Sequence, residues 1–153
     1  MASTIIDHIE QLKYKDEIRH LDINYGEGLH TQVFDIENLK AFRFVFKDKP
    51  EKNHLPVYIN SPKRTLGGTN RKVCIEGYAL SCLETLEAAE NYFNYLINSA
   101  PNIPKSIGNS IAEGILTTLD GVVENPDTHK HFELFEYENC NLSSKFVTIK
   151  EMI

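Results

Sequence analysis

A chain of 153 residues, 41 % hydrophobic and 25 % charged, is long enough to bury a core without metal or disulfide staples and too apolar to be disordered over most of its length. Sixteen Lys and Arg against twenty-two Asp and Glu leave a formal net charge of −6. That balance argues against duplex nucleic acid or an anionic membrane as the main partner, because both select a basic face.

The three cysteines, Cys74, Cys82 and Cys140, form an odd set without Cys-x-x-Cys spacing, which fits reduced thiols and a cytoplasmic location. The N-terminus lacks the charged and apolar blocks of a secretory leader, and no apolar run reaches the eighteen or so residues needed to span a bilayer. One domain over 1–153 is the expectation.

In chain order, Ile5, Ile6, Ile9 and Leu12 fall at near-helical spacing behind Ser3 and Thr4, predicting a short N-terminal helix. Arg19, Leu21 and Ile23 alternate with Ile18, His20 and Asp22. With a turn over Tyr25, Gly26 and Gly28, and renewed alternation at Leu29, Thr31 and Val33, they predict a β-hairpin. Phe42, Phe44 and Phe46 then mark one side of a strand, with Arg43 and Lys47 on the other. Two further strand-like runs, Val57-Tyr58-Ile59 and Val73-Cys74-Ile75, bracket a basic loop.

From residue 79 the pattern changes. Cys82, Leu86, Ala89, Phe93 and Leu96 share a helical face, predicting an amphipathic helix over 79–98. Pro101 and Pro104 introduce a second helix carrying Ile107, Ile111, Ile115, Leu119 and Val122, ended by Gly121. Beside that stripe run Ser106, Ser110, Gly114 and Thr117, a small-residue track implying close packing. Residues 131–137 and 145–149 read as a terminal hairpin. The expected fold is therefore α+β. An antiparallel sheet, about five strands of meander plus a C-terminal hairpin, packs against two amphipathic helices, preceded by the short N-terminal helix.

Three groups of residues invite a functional reading. The basic loop places Lys63, Arg64, Arg71 and Lys72 around Gly67, Gly68, Thr69 and Asn70, so that cationic side chains and glycine backbone N–H groups can hold an anion. His129, His131 and Glu133 share one face of an extended strand, a donor set suited to a divalent metal. Glu84, Glu87 and Glu90 with Glu133, Glu136 and Glu138 offer an acidic face to a basic protein partner. His20 and His30, with Asp22, would face each other across the first hairpin as an acid–base pair.

No nucleophile elbow or nucleotide-binding glycine motif is present, and Ser81-Cys82 falls to the start of the first long helix. The function expected is a non-enzymatic binding module without a cofactor, recognising a basic protein or a small anionic ligand. In size and charge it is comparable to immunity and accessory proteins. The alternative is a small metal-dependent or acid–base enzyme that uses His129, His131 and Glu133, with its substrate anchored by Lys63, Arg64, Arg71 and Lys72.

Overall fold

The computed structural model describes residues 2–26, 28–66 and 73–153. Among these residues eight strands form one sheet: β1 (Ala2–Thr4), β2 (Gln32–Asp35), β3 (Leu39–Val45), β4 (Leu80–Leu83), β5 (Ser110–Leu116), β6 (Gly121–Val123), β7 (His131–Glu136) and β8 (Val147–Glu151). Their order is β1-β2-β6-β7-β4-β3-β5-β8, and every neighbouring pair is antiparallel. Among the described residues there are five α-helical segments: α1 (Ile5–His8), α2 (Lys15–Tyr25), α3 (Val57–Asn60), α4 (Leu86–Ser99) and α5 (Pro104–Ile107). No helix among the described residues is long and apolar enough to cross a membrane.

Both faces of the sheet are used. Ala41, Val45, Cys82, Ala112, Leu116, Phe132 and Leu134 pack on one face with Phe146, from the segment before β8. On the other face the registered pairs Phe42↔Leu83, Leu83↔His131, Ser81↔Glu133 and Val122↔Phe135 place these side chains together. Two apolar clusters divide that face. Phe42, Leu83 and Ile111 pack under Ala88 and Ala89 of α4. Val122 and Phe135 join Ile9, Leu12, Ile18, Leu21, Tyr58, Ile75 and Tyr78. Ser81, His131 and Glu133 occupy the polar strip between the two clusters.

Several sequence expectations are corrected. The first hairpin is helix α2, because Ile18 and Leu21 are the buried pair while Ile23 is 80 % exposed. Its supposed turn is a helix stop, with Gly26 at φ 65° donating back to the Asp22 carbonyl. Val57-Tyr58-Ile59 belongs to the single-turn α3, and residues 75–78 form a 3₁₀ turn after an extended Cys74. The helix over 79–98 is strand β4 followed by α4, which begins where Thr85 accepts a hydrogen bond from the Ala88 N–H at 3.0 Å.

The second long helix is a single turn, α5, leading into strand β5. A spacing of four satisfies both a helix and a strand, since it is also even. The small-residue track has a packing cause: a Cβ on Gly114 would collide with the Phe146 ring. Residues 131–136 and 147–151 are strands, but not a hairpin. β7 is central between β6 and β4, whereas β8 is an edge strand on β5.

The segments between β3 and β4 are tied down locally. Asn53 grips Phe46, accepting from its N–H at 2.6 Å and donating to its carbonyl at 3.3 Å. The Tyr58 hydroxyl accepts from the Cys74 N–H at 3.1 Å, and its ring meets Tyr78 edge-on at 5.1 Å. Gly77 lies so close to the Tyr58 ring that a Cβ there would overlap it. Gly77→Ala should therefore displace Tyr58 and cost about 1–3 kcal/mol of stability. The urea unfolding midpoint measures this, and an unchanged midpoint would show that the ring does not pack on Gly77.

Candidate functional site

Over the polar strip opens a cleft of about 620 Å³. Phe44, Ser81, His131 and Glu133 contribute from the sheet, residues 52–57 and Arg64 from one side, and Leu96, Ile103 and Ile107 from the helical side. A concavity of this size, lined about equally by apolar and by polar or charged side chains, is large enough to hold a small molecule.

Arg43, from the strand face that carries Ala41 and Val45, also lines it. Phe42↔Leu83 is the one registered pair between β3 and β4, so the strands do not continue their ladder past it. The Arg43 guanidinium instead bonds across, Nη1 donating to the Ser81 carbonyl. Nε donates to His54 Nδ1 at 2.9 Å. Arg43 is only 7 % exposed, yet no carboxylate among the described residues is close enough to pair with it. A buried charge left without a counter-ion costs several kcal/mol.

His54 is held to this task by its backbone. It occupies the left-handed region at φ 61°, tolerated better by His than by most residues, and follows directly on the Asn53 clamp. Burial and the adjoining Arg43 charge push its pKa down to about 3, so the ring is a neutral acceptor for the guanidinium.

A hydroxyl and an imidazole line the same cleft. Ser81 Oγ and His131 Nε2 are hydrogen-bonded. The other ring nitrogen, Nδ1, lies 3.6 Å from Asp127 Oδ2, and Glu133 Oε1 is 3.5 Å from Nε2. Asp127 is fixed by its second oxygen, which accepts from the N–H groups of His129 at 2.8 Å and His131 at 3.0 Å. Burial works to raise the Asp127 pKa, but those backbone donors outweigh it and hold the carboxyl below its ordinary value. Burial lowers the His131 pKa against the pull of Asp127, keeping the imidazole neutral. Burial together with the charge of Glu76 pushes Glu133 up to about 7, with Arg43 acting in the opposite direction. Glu124, across the sheet from Glu133, is raised by burial and by Glu76.

The sequence-derived candidates are only partly gathered here. Lys63 and Arg64 lie on a 3₁₀ segment, Pro62–Leu66, and Arg64 lines the cleft. Gly67, Gly68, Thr69, Asn70, Arg71 and Lys72 fall outside the described residues. His129 and His131 part company because Lys130 between them takes φ 60°, breaking the extended alternation. His131 enters the cleft, whereas His129 stacks beside Tyr95 at 4.9 Å and lines a separate groove of about 240 Å³. Among the described residues no three His, Cys, Asp or Glu side chains are grouped to hold a metal ion, so His129, His131 and Glu133 do not form the expected site.

The acidic face is dispersed as well. Glu136 is buried against Lys13 at 2.7 Å, Glu133 faces the cleft, Glu90 pairs with Lys150, and Glu138 with Lys15 at 3.3 Å. His20 bonds Asn24 on α2 at 2.8 Å, because that segment is a helix. The residues that sequence reasoning missed are Arg43, His54 and Ser81. One signal existed: Arg43 stands between Ala41 and Val45 on an otherwise apolar strand face.

The raised Glu133 pKa has a consequence for stability. Between about 4.5 and about 7 the folded protein keeps a proton that the unfolded chain has released, so stability falls as pH rises through that window. The loss is on the order of 3 kcal/mol. Denaturant titrations at the two ends of the window should show the decline, and Glu133→Gln should reduce it to the part contributed by Glu124. A decline unaltered in that variant would contradict the assignment. Comparison of the chain with protein-family models, with curated protein sequences and with solved structures finds no match.

Proposed function

We propose that the protein binds a small anionic molecule with an apolar portion, its charged group placed on Arg43, which lines the cleft. The observation that carries this reading is a buried guanidinium with no carboxylate partner among the described residues, in a cleft large enough for a ligand. An arriving anion would supply the missing counter-charge at a buried group, where a charge-assisted hydrogen bond is strongest.

The surroundings fit that role. Lys52, Arg64 and Lys105 bring further positive charge to the cleft, favouring an anion's approach even though the chain is acidic overall. Phe44, Leu55, Leu96 and Ile107 supply apolar wall for the rest of the molecule. Glu133 shares the site, and its raised pKa makes its protonated form accessible near neutrality, so that it can donate to an anion instead of repelling it. Anion recognition, expected of the basic loop, is thereby placed chiefly on a strand residue, with Arg64 as a secondary contact.

The fluorophore 8-anilinonaphthalene-1-sulfonate, apolar and anionic, tests the reading. It should bind the folded protein, and Arg43→Met should weaken binding about tenfold or more, the worth of a hydrogen bond to a charged group. Lys63→Ala should leave it unchanged. Equal affinity in the wild type and Arg43→Met would overturn the proposal.

A further inference from the structure

We infer that Ser81 is a catalytic nucleophile, with His131 as its general base, and that the cleft hydrolyses carboxylic esters of apolar acids. The inference rests on the ligand reading above and deepens it. The apolar carboxylate released by such a reaction is the kind of anion that Arg43 would hold.

Geometry supports the assignment at three points. First, Ser81 Oγ is bonded to His131 Nε2, the contact needed to remove the hydroxyl proton during attack. Second, the opposite ring nitrogen faces Asp127 at 3.6 Å, a spacing that closes to a hydrogen bond with a small ring movement and favours the Nδ1–H tautomer. Asp127 is itself oriented by two backbone N–H groups. Third, Ser81 and His131 sit on the adjacent strands β4 and β7, where Ser81↔Glu133 and Leu83↔His131 are registered pairs, so rigid elements set their relation. Both side chains line the same cleft as Arg43.

In the first step Oγ forms a bond to the ester carbonyl carbon and its proton passes to Nε2. Arg43, which also lines the cleft, adds a positive field that favours the negative charge developing on the carbonyl oxygen. Collapse breaks the bond to the alcohol oxygen, and the alcohol leaves with the proton from Nε2. Water then attacks the acyl-serine, giving a proton to Nε2. Collapse breaks the bond to Oγ, Ser81 recovers that proton, and the carboxylic acid released gives its own proton to solvent to become the carboxylate. Burial keeps His131 unprotonated at neutral pH, as a general base requires.

An alkyl fluorophosphonate probes the nucleophile directly. Its reaction forms an Oγ–P bond, expels fluoride and moves the hydroxyl proton to His131. Intact mass should show one adduct on the folded protein, mapped to Ser81, absent in Ser81→Ala, and formed about a hundredfold more slowly in His131→Gln. In the wild type the labelling rate should level off by about pH 7, because His131 is already neutral there. No adduct at Ser81, equal rates in His131→Gln, or a rate that follows hydroxide through neutrality would each overturn the inference. Labelling that persists while Arg43→Met leaves sulfonate binding unchanged removes the ligand reading alone. Arg43-dependent sulfonate binding without labelling removes the nucleophile alone.

Discussion

The contact on which the site depends is the guanidinium of Arg43 bridging β3 and β4. Where those strands stop pairing after Phe42↔Leu83, the Ser81 carbonyl takes its hydrogen bond from Arg43. A backbone acceptor buried in a sheet must find some donor, and a side chain here replaces a strand. The substitution brings a full positive charge into the protein, and the neighbourhood is adapted to it: His54 is neutral and turned to accept, and the loop that carries it is pinned by Asn53. No carboxylate among the described residues pairs with that charge.

The position of the cleft follows from how the sheet face is covered. The N-terminal helices and the 75–78 turn cover one end, α4 covers the other, and neither apolar cluster reaches the strip between them. Serine, histidine and glutamate therefore stand on a sheet face without being sealed into a core. Burial is still enough to change their chemistry. His131 is driven toward neutrality and Glu133 toward its acid form, so the strip holds a base and an acid near neutral pH.

The α+β class and the antiparallel sheet were legible in the sequence, as were the Phe42-Phe44 strand and most of α4. What failed did so for identifiable reasons. Ile107, Ile111 and Ile115 repeat at four, a period common to helix and strand, and the small residue Gly114, consistent with a packed helix, makes room for Phe146 on strand β5. In α2, short alternation concealed the Ile18 and Leu21 pair, which only tertiary burial singles out. His129 and His131 parted through one left-handed residue, Lys130, of a type that gives no local warning. Arg43, His54 and Ser81 are separated by 11 and 27 positions and meet through long-range pairing, which composition and spacing do not encode.

The most direct measurement is the ring ¹⁵N NMR of His54, assigned by comparison with His54→Gln. With Arg43 against Nδ1, the imidazole should remain neutral and protonated only at Nε2 at about pH 5, where an ordinary histidine is almost fully charged, and its midpoint should lie at about 3. A His54 that titrates near its ordinary 6.5 would mean that no buried guanidinium rests on the ring, and the account of the cleft would fail with it.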